Sequence, residues 1–112
     1  MLPFRLQHRC HAATWDGELL GGFSGKAHLG WLYVLLLATA PDARGTGVGA
    51  ALMKRGEVIA RNMGLVGVYL DTYDFQAPGF YERIGYTEIG RLPAAGGHPQ
   101  RIWFRKLFED AA

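Results

Sequence analysis

Apolar residues follow two rhythms along this chain, and the change between them marks its elements. Residues 2–10 alternate loosely, with Leu2, Phe4 and Leu6 before His8, which predicts an edge strand. Asp16-Gly17 follows, a pair that favours a two-residue hairpin turn because both positions accept positive φ. Residues 18–26 read as a second strand in which Gly21, Gly22 and Gly25 mark a bulge or a close backbone approach. A turn is expected at 27–30. Residues 31–39, WLYVLLLAT, are nearly all apolar, which predicts a strand covered on both faces at the centre of a sheet. Pro41 ends it, having no N–H for a ladder.

From 45 to 63 the period becomes helical. Val48, Leu52, Ile59 and Met63 share one stripe with Gly56 in its middle, and Lys54, Arg55, Glu57, Arg61 and Asn62 form the wet face. Such a helix is about 28 Å long. Gly56 costs it roughly 0.5–1 kcal/mol against alanine; a close helix-to-sheet approach or chance accounts for it. Gly64 suits the left-handed position that closes a helix. Residues 65–72 alternate again, Val66, Val68 and Leu70 against Gly67, Tyr69 and Asp71. The linking helix makes this strand parallel to 31–39 through one right-handed crossover, and the two diverge around whatever the intervening loop binds. Residues 76–84 form a short helix with Pro78 in its first turn, closed by Gly85. Two strands, 86–92 and 100–107, finish the chain, joined by a Gly- and Ala-rich loop over 93–99.

Strand, glycines, arginine and helix meet in residues 38–53, ATAPDARGTGVGAALM. Gly45, Gly47 and Gly49 leave their N–H groups uncovered, and a helix N-terminus adds orphan donors and the positive end of its dipole. With Arg44 at the lip, this makes a cradle for phosphate. A nucleoside-triphosphate loop needs a lysine after its glycines, and none follows. The dinucleotide pattern fits Gly45, Gly47 and Ala50, with Asp71 about 20 residues further on. A third pattern, Gln/Arg-x-x-Gly-x-Gly/Ala, fits Arg44, Gly47 and Gly49.

Composition narrows the choice. A chain of 112 residues predicts one domain, 1–112, too short for a two-halved dinucleotide fold. An antiparallel first third also argues against that fold. A net charge of +2 with no basic run does not imply nucleic acid. Cys10 is the one cysteine, so no internal disulfide forms and no cysteine-based metal site is expected. The N-terminus lacks an apolar core of signal-peptide length, and the longest apolar stretch is about half a membrane span. The chain reads as cytosolic and soluble.

The second half decides the matter. Phe80-Tyr81-Glu82-Arg83-Ile84-Gly85-Tyr86 resembles the second signature of the GNAT superfamily of N-acetyltransferases, Ala-x-x-Phe-Tyr-x-x-x-Gly-Phe/Tyr, with Ala77 in the alanine position. The Arg44, Gly47, Gly49 pattern resembles the superfamily's coenzyme A pyrophosphate loop. DTYDFQAPGFY and Gly97-His98-Pro99-Gln100-Arg101 are similar to small bacterial acetyltransferases of this kind. The resemblance covers residues 18–107. It implies an α/β (α+β) fold with a mixed central sheet, antiparallel first strands, a parallel pair splayed at the cofactor site and two main helices.

It also implies transfer of acetyl from acetyl-CoA to a primary amine, by direct attack in a ternary complex. The cofactor would meet Leu37, Ala38 and Thr39 near a strand bulge, where a main-chain N–H faces the developing oxyanion. Arg44, Gly45, Thr46, Gly47, Val48, Gly49 and Ala50 would take the pyrophosphate, and Asp74, Ala77 and Phe80 would complete the contact. Asp74 stands where asparagine is frequent. Tyr81 would protonate the leaving thiolate, since a phenol keeps its proton at neutral pH. Asp71, at the end of the second parallel strand, is the candidate base, with Glu18 and His98 as rivals. Compared with such enzymes, the first strand and its helices are reduced, which suggests cover from a partner and hence a homodimer. The alternative is a degenerate domain that binds coenzyme A, or acts through protein contact, without turnover.

Overall fold

The computed structural model describes residues 7–13, 19–39, 46–74, 76 and 78–109. Eight elements follow in order: β1 (Gln7–Ala13), β2 (Leu19–His28), β3 (Trp31–Thr39), α1 (Val48–Asn62), β4 (Gly67–Tyr73), α2 (Pro78–Arg83), β5 (Thr87–Leu92) and β6 (Arg101–Leu107). They build one six-stranded sheet in the order β1-β2-β3-β4-β6-β5. β3 and β4 run parallel and all other neighbours antiparallel. The expected mixed sheet, antiparallel start and parallel pair are therefore present. The edge strand expected at 2–10 is β1; residues 2–6 and the Asp16-Gly17 turn lie outside the described residues, as do Glu18 and Pro41.

Local chemistry explains the joints. Leu29 and Gly30 both have positive φ, 49° and 88°, the geometry of a two-residue hairpin that matches strand twist. Gly64 and Gly85 have φ of 78° and 98° and end their helices as expected.

Both helices lie on one face of the sheet. Leu70 and Phe104 are register partners on β4 and β6, so they share that face, and the Tyr81 ring of α2 lies 5.7 Å from the Phe104 ring. α1 approaches through Gly56, where a Cβ would stand 2.6 Å from Cζ of Phe23. The glycine is thus a packing requirement. It also corrects the expected helix face. The buried stripe is Leu52, Met53, Gly56 and Ala60, because these positions border the Phe23 contact. Val48, Ile59 and Met63 are half-buried at its flanks. Glu57 is a second correction, since it does not belong to the wet face. It accepts a hydrogen bond from the Tyr86 hydroxyl at 2.8 Å and pairs with Lys106 Nζ at 3.2 Å, which ties α1 to β6. Burial first, and the Glu57 charge second, push the Tyr86 phenol well above its ordinary pKa.

Candidate active site

The cleft begins where main-chain pairing stops. Trp31, Leu32 and Tyr33 pair with Gly67, Val68 and Tyr69, and the two parallel strands then part. A register shift helps to turn β3 away. Ser24 pairs with Leu36 and Gly25 with Val34, so Leu35 bulges without a partner on β2. The expectation that β3 is covered on both faces fails here, because no described element packs over Leu35 and Leu36, which are 44% and 57% exposed. The opening is a cleft of about 930 Å³.

The start of α1 closes one end. Gly47, at φ 88°, is the N-cap, and its carbonyl accepts from Ala51 N at 3.0 Å. That positive φ is why the helix begins at Val48 and not at Gly45. Among the described residues no side chain caps this terminus, and its first turn holds no acid, which suits this end of the helix dipole to an anion. Gly49 faces α2, where a Cβ would sit 3.4 Å from Cζ of Phe80.

Most expected residues meet in this cleft. Leu37, Ala38, Thr39, Gly47, Val48, Gly49, Ala50, Asp71, Phe80 and Tyr81 all line it. Arg44, Gly45 and Ala77 lie outside the described residues. Thr46 and Asp74 do not line the cleft. Asp74 is exposed in the turn after β4, where its N–H donates to the Gln100 carbonyl at 3.0 Å. His98 lines a different groove, of about 590 Å³, with Tyr73 and Arg101.

Tyr81 packs edge-on to Phe80 and Tyr86, with ring centroids 5.0 and 6.1 Å away. Burial, and then the charge of Asp71, raise its phenol above the ordinary value of 10.0. The hydroxyl therefore stays protonated and available as a donor.

Asp71 is not a free carboxylate. Its Oδ1 accepts from the Tyr33 hydroxyl and its Oδ2 from Arg101 Nε at 2.7 Å. Tyr33 is the last β3 residue paired to β4, so this side-chain clasp continues the strand contact past the point where the ladder ends. Tyr33 stacks on Tyr69 at 4.9 Å, and Arg101 lies 4.6 Å over the Trp103 ring. Burial, then Asp71, push the Tyr33 phenol up to about 12.

Sequence reasoning missed Tyr33, Thr72, Gln76, Arg83 and Arg101. Buried Thr72 donates to Gln76 Oε1 at 3.0 Å and Tyr73 N donates to the same oxygen at 3.1 Å, which staples the turn into α2. Phe80 and Arg83, three apart on α2, share one face of that helix, a signal present in the sequence.

Residues 3–86 match the family model of GNAT acetyltransferases. Two relatives support it. Over 78 residues the chain is 46% identical to the blasticidin-S acetyltransferase of Streptomyces morookaense, covering 69% of this chain and 57% of that one. Over 93 residues it is 38% identical to an acetyltransferase of Agrobacterium fabrum, covering 83% and 68%. Among solved structures, an acetyltransferase from Bacillus cereus superposes with a TM-score of 0.87 at 27% identity, over 93% of this chain and 74% of that one. The chain belongs to the GNAT acetyltransferase family, whose acyl donor is acetyl-CoA. It spans a little over half the length of the blasticidin-S relative.

Proposed function

We propose that this chain is an N-acetyltransferase that moves acetyl from acetyl-CoA to a primary amine by direct attack in a ternary complex. The cleft between β3 and β4, with uncapped α1 donors at one end and Tyr81 on its wall, is the observation that carries this reading. The donors at Gly47–Ala50 suit a pyrophosphate. The exposed Leu35 and Leu36 suit an apolar tether.

Acetyl-CoA supplies an activated thioester. The amine nitrogen attacks the carbonyl carbon, the C–S bond breaks, and the thiolate leaves with the Tyr81 proton. A main-chain N–H of Leu37, Ala38 or Thr39, next to the bulge, would donate to the charge that grows on the carbonyl oxygen. The ammonium proton departs through water. Both Asp71 oxygens already hold donors, so we assign Asp71 the clasp with Tyr33 and Arg101 that holds the cleft wall, in place of the base role.

The blasticidin-S relative makes blasticidin S the first acceptor to try. Among the described residues no helix is long and apolar enough to cross a membrane, which fits a cytosolic site. Exposed Ile89 and Leu92 on the outer strand β5 support a homodimer; light scattering at the mass of one chain would contradict it.

Tyr81→Phe tests the assignment. We expect turnover to fall on the order of 10²-fold or more with acetyl-CoA affinity unchanged. Turnover unaffected by the substitution would remove Tyr81 from the chemistry. Cofactor binding by the wild type with no acetylation across an amine panel would favour the degenerate binding domain.

A further inference from the structure

We infer that Glu57 is a positioning residue for Tyr81: through the hydroxyl of Tyr86 it fixes the helix that carries Tyr81 against the helix that meets the cofactor. The inference rests on the assignment of Tyr81 above and extends it to a residue outside the cleft lining.

α2 does not hold Tyr81 in place alone. It has six residues, none of them buried, and a helix that short is unstable by itself. The residues that follow supply an anchor. Gly85, at φ 98°, turns the chain out of the helix. Its N–H donates to the Glu82 carbonyl at 3.1 Å, and Tyr86 N donates to the Tyr81 carbonyl at 2.9 Å. These are the two hydrogen bonds of a Schellman closure, in which the residue after the glycine also packs on the residue whose carbonyl it meets. Tyr86 does so, with its ring 6.1 Å from that of Tyr81. Tyr81 is thus joined to Tyr86 through main chain and ring alike.

Tyr86 is held in turn at its far end. It is buried, and its hydroxyl donates to Glu57 Oε2 at 2.8 Å. Lys106 Nζ lies 5.1 Å over its ring and 3.2 Å from both Glu57 oxygens. A phenyl ring would fill the same space, and a buried hydroxyl costs stability unless it has a partner. The hydroxyl adds direction: a hydrogen bond to an ionised acceptor is strong and fixes where the ring stands. Glu57 belongs to α1, whose first turn is the proposed pyrophosphate site. The contacts therefore run from the cofactor helix through Glu57 and Tyr86 to Tyr81. Misplacing a reacting group by about 1 Å can cost on the order of 10²-fold in rate.

Steady-state kinetics on an amine panel that begins with blasticidin S tests the inference. Rates are taken per acetyl-CoA site counted by calorimetry, so that unfolded chain does not pass for slow turnover. We expect Glu57→Ala and Tyr86→Phe each to lower kcat about tenfold, with the KM for acetyl-CoA within about twofold. The double variant should be no slower than the slower single one, because both changes break one connection. Glu57→Gln keeps an acceptor oxygen and should stay within about threefold of the wild type. A purely structural role would lower the melting temperature and leave kcat per site unchanged. Unchanged kcat in the single variants, or losses that multiply in the double variant, overturns the proposal and leaves the acetyltransferase reading standing. A wild-type chain that acetylates no amine of the panel overturns both. Should Glu57→Ala fail to fold, Tyr86→Phe and Glu57→Gln decide.

Discussion

β3 and β4 are one strand pair with two halves that behave in opposite ways. Over 31–33 and 67–69 they are hydrogen-bonded and sealed. Leu32 is 0% exposed, and at Gly67 a Cβ would meet the Lys106 carbonyl oxygen and stand 2.6 Å from Cζ3 of Trp31. Past Tyr33 the strands part, and leucines of the same run face open space. The residue types hardly change along WLYVLLLAT, so hydrophobicity alone does not separate packing from function. The partner does: one half meets a strand, the other opens on a cleft.

The sealed half should be the more fragile. Leu32→Ala should cost about 2–5 kcal/mol in denaturant unfolding, because it leaves a cavity among side chains that cannot collapse fully. A cost below about 1 kcal/mol would mean that the paired half is not close-packed.

The clasp at the junction should give a smaller, spectroscopic effect. Asp71→Asn should bring the Tyr33 phenol down from about 12 toward its ordinary 10.0, followed by ultraviolet titration. The sign is fixed by linkage. A phenol raised only in the folded state contributes stability in full below pH 10.0, and that contribution is lost as pH rises toward 12. An unchanged phenol titration in Asp71→Asn would show that the two groups are not coupled.

Leu36→Ala in the open half should do least, shifting stability within about 0.5 kcal/mol despite the size of the side chain. A cost like that of Leu32→Ala would mean that Leu36 is buried in solution.

The comparison also shows what the sequence could convey. The apolar pattern located β3, α1 and β4, because those segments bury side chains in the core. Gly56 was legible only in part, since its cost left a close approach and chance both open, and the Phe23 contact decides for the approach. The splay was legible through Gly47 and the crossover. Pairwise partnerships were not. Nothing local says that Glu57 reaches Tyr86 and Lys106, or that Arg101, thirty residues away from Asp71 in sequence, closes on it. Those contacts are set by the insertion of β6 between β4 and β5, a topological fact with no local pattern.

The central claim is that the open half is a coenzyme A cleft anchored at the start of α1. Calorimetric titration of the wild-type chain and Gly47→Glu with acetyl-CoA tests it most directly. A Cβ at Gly47 meets nothing within 4 Å, so the new carboxylate would lie beside the helix donors, at the cost of the backbone strain that a φ of 88° imposes on any side chain. We predict wild-type binding on the order of micromolar that disappears in a variant whose circular dichroism remains that of a folded chain. A folded wild-type chain that does not bind, or a Gly47→Glu variant that binds as tightly, would contradict the account.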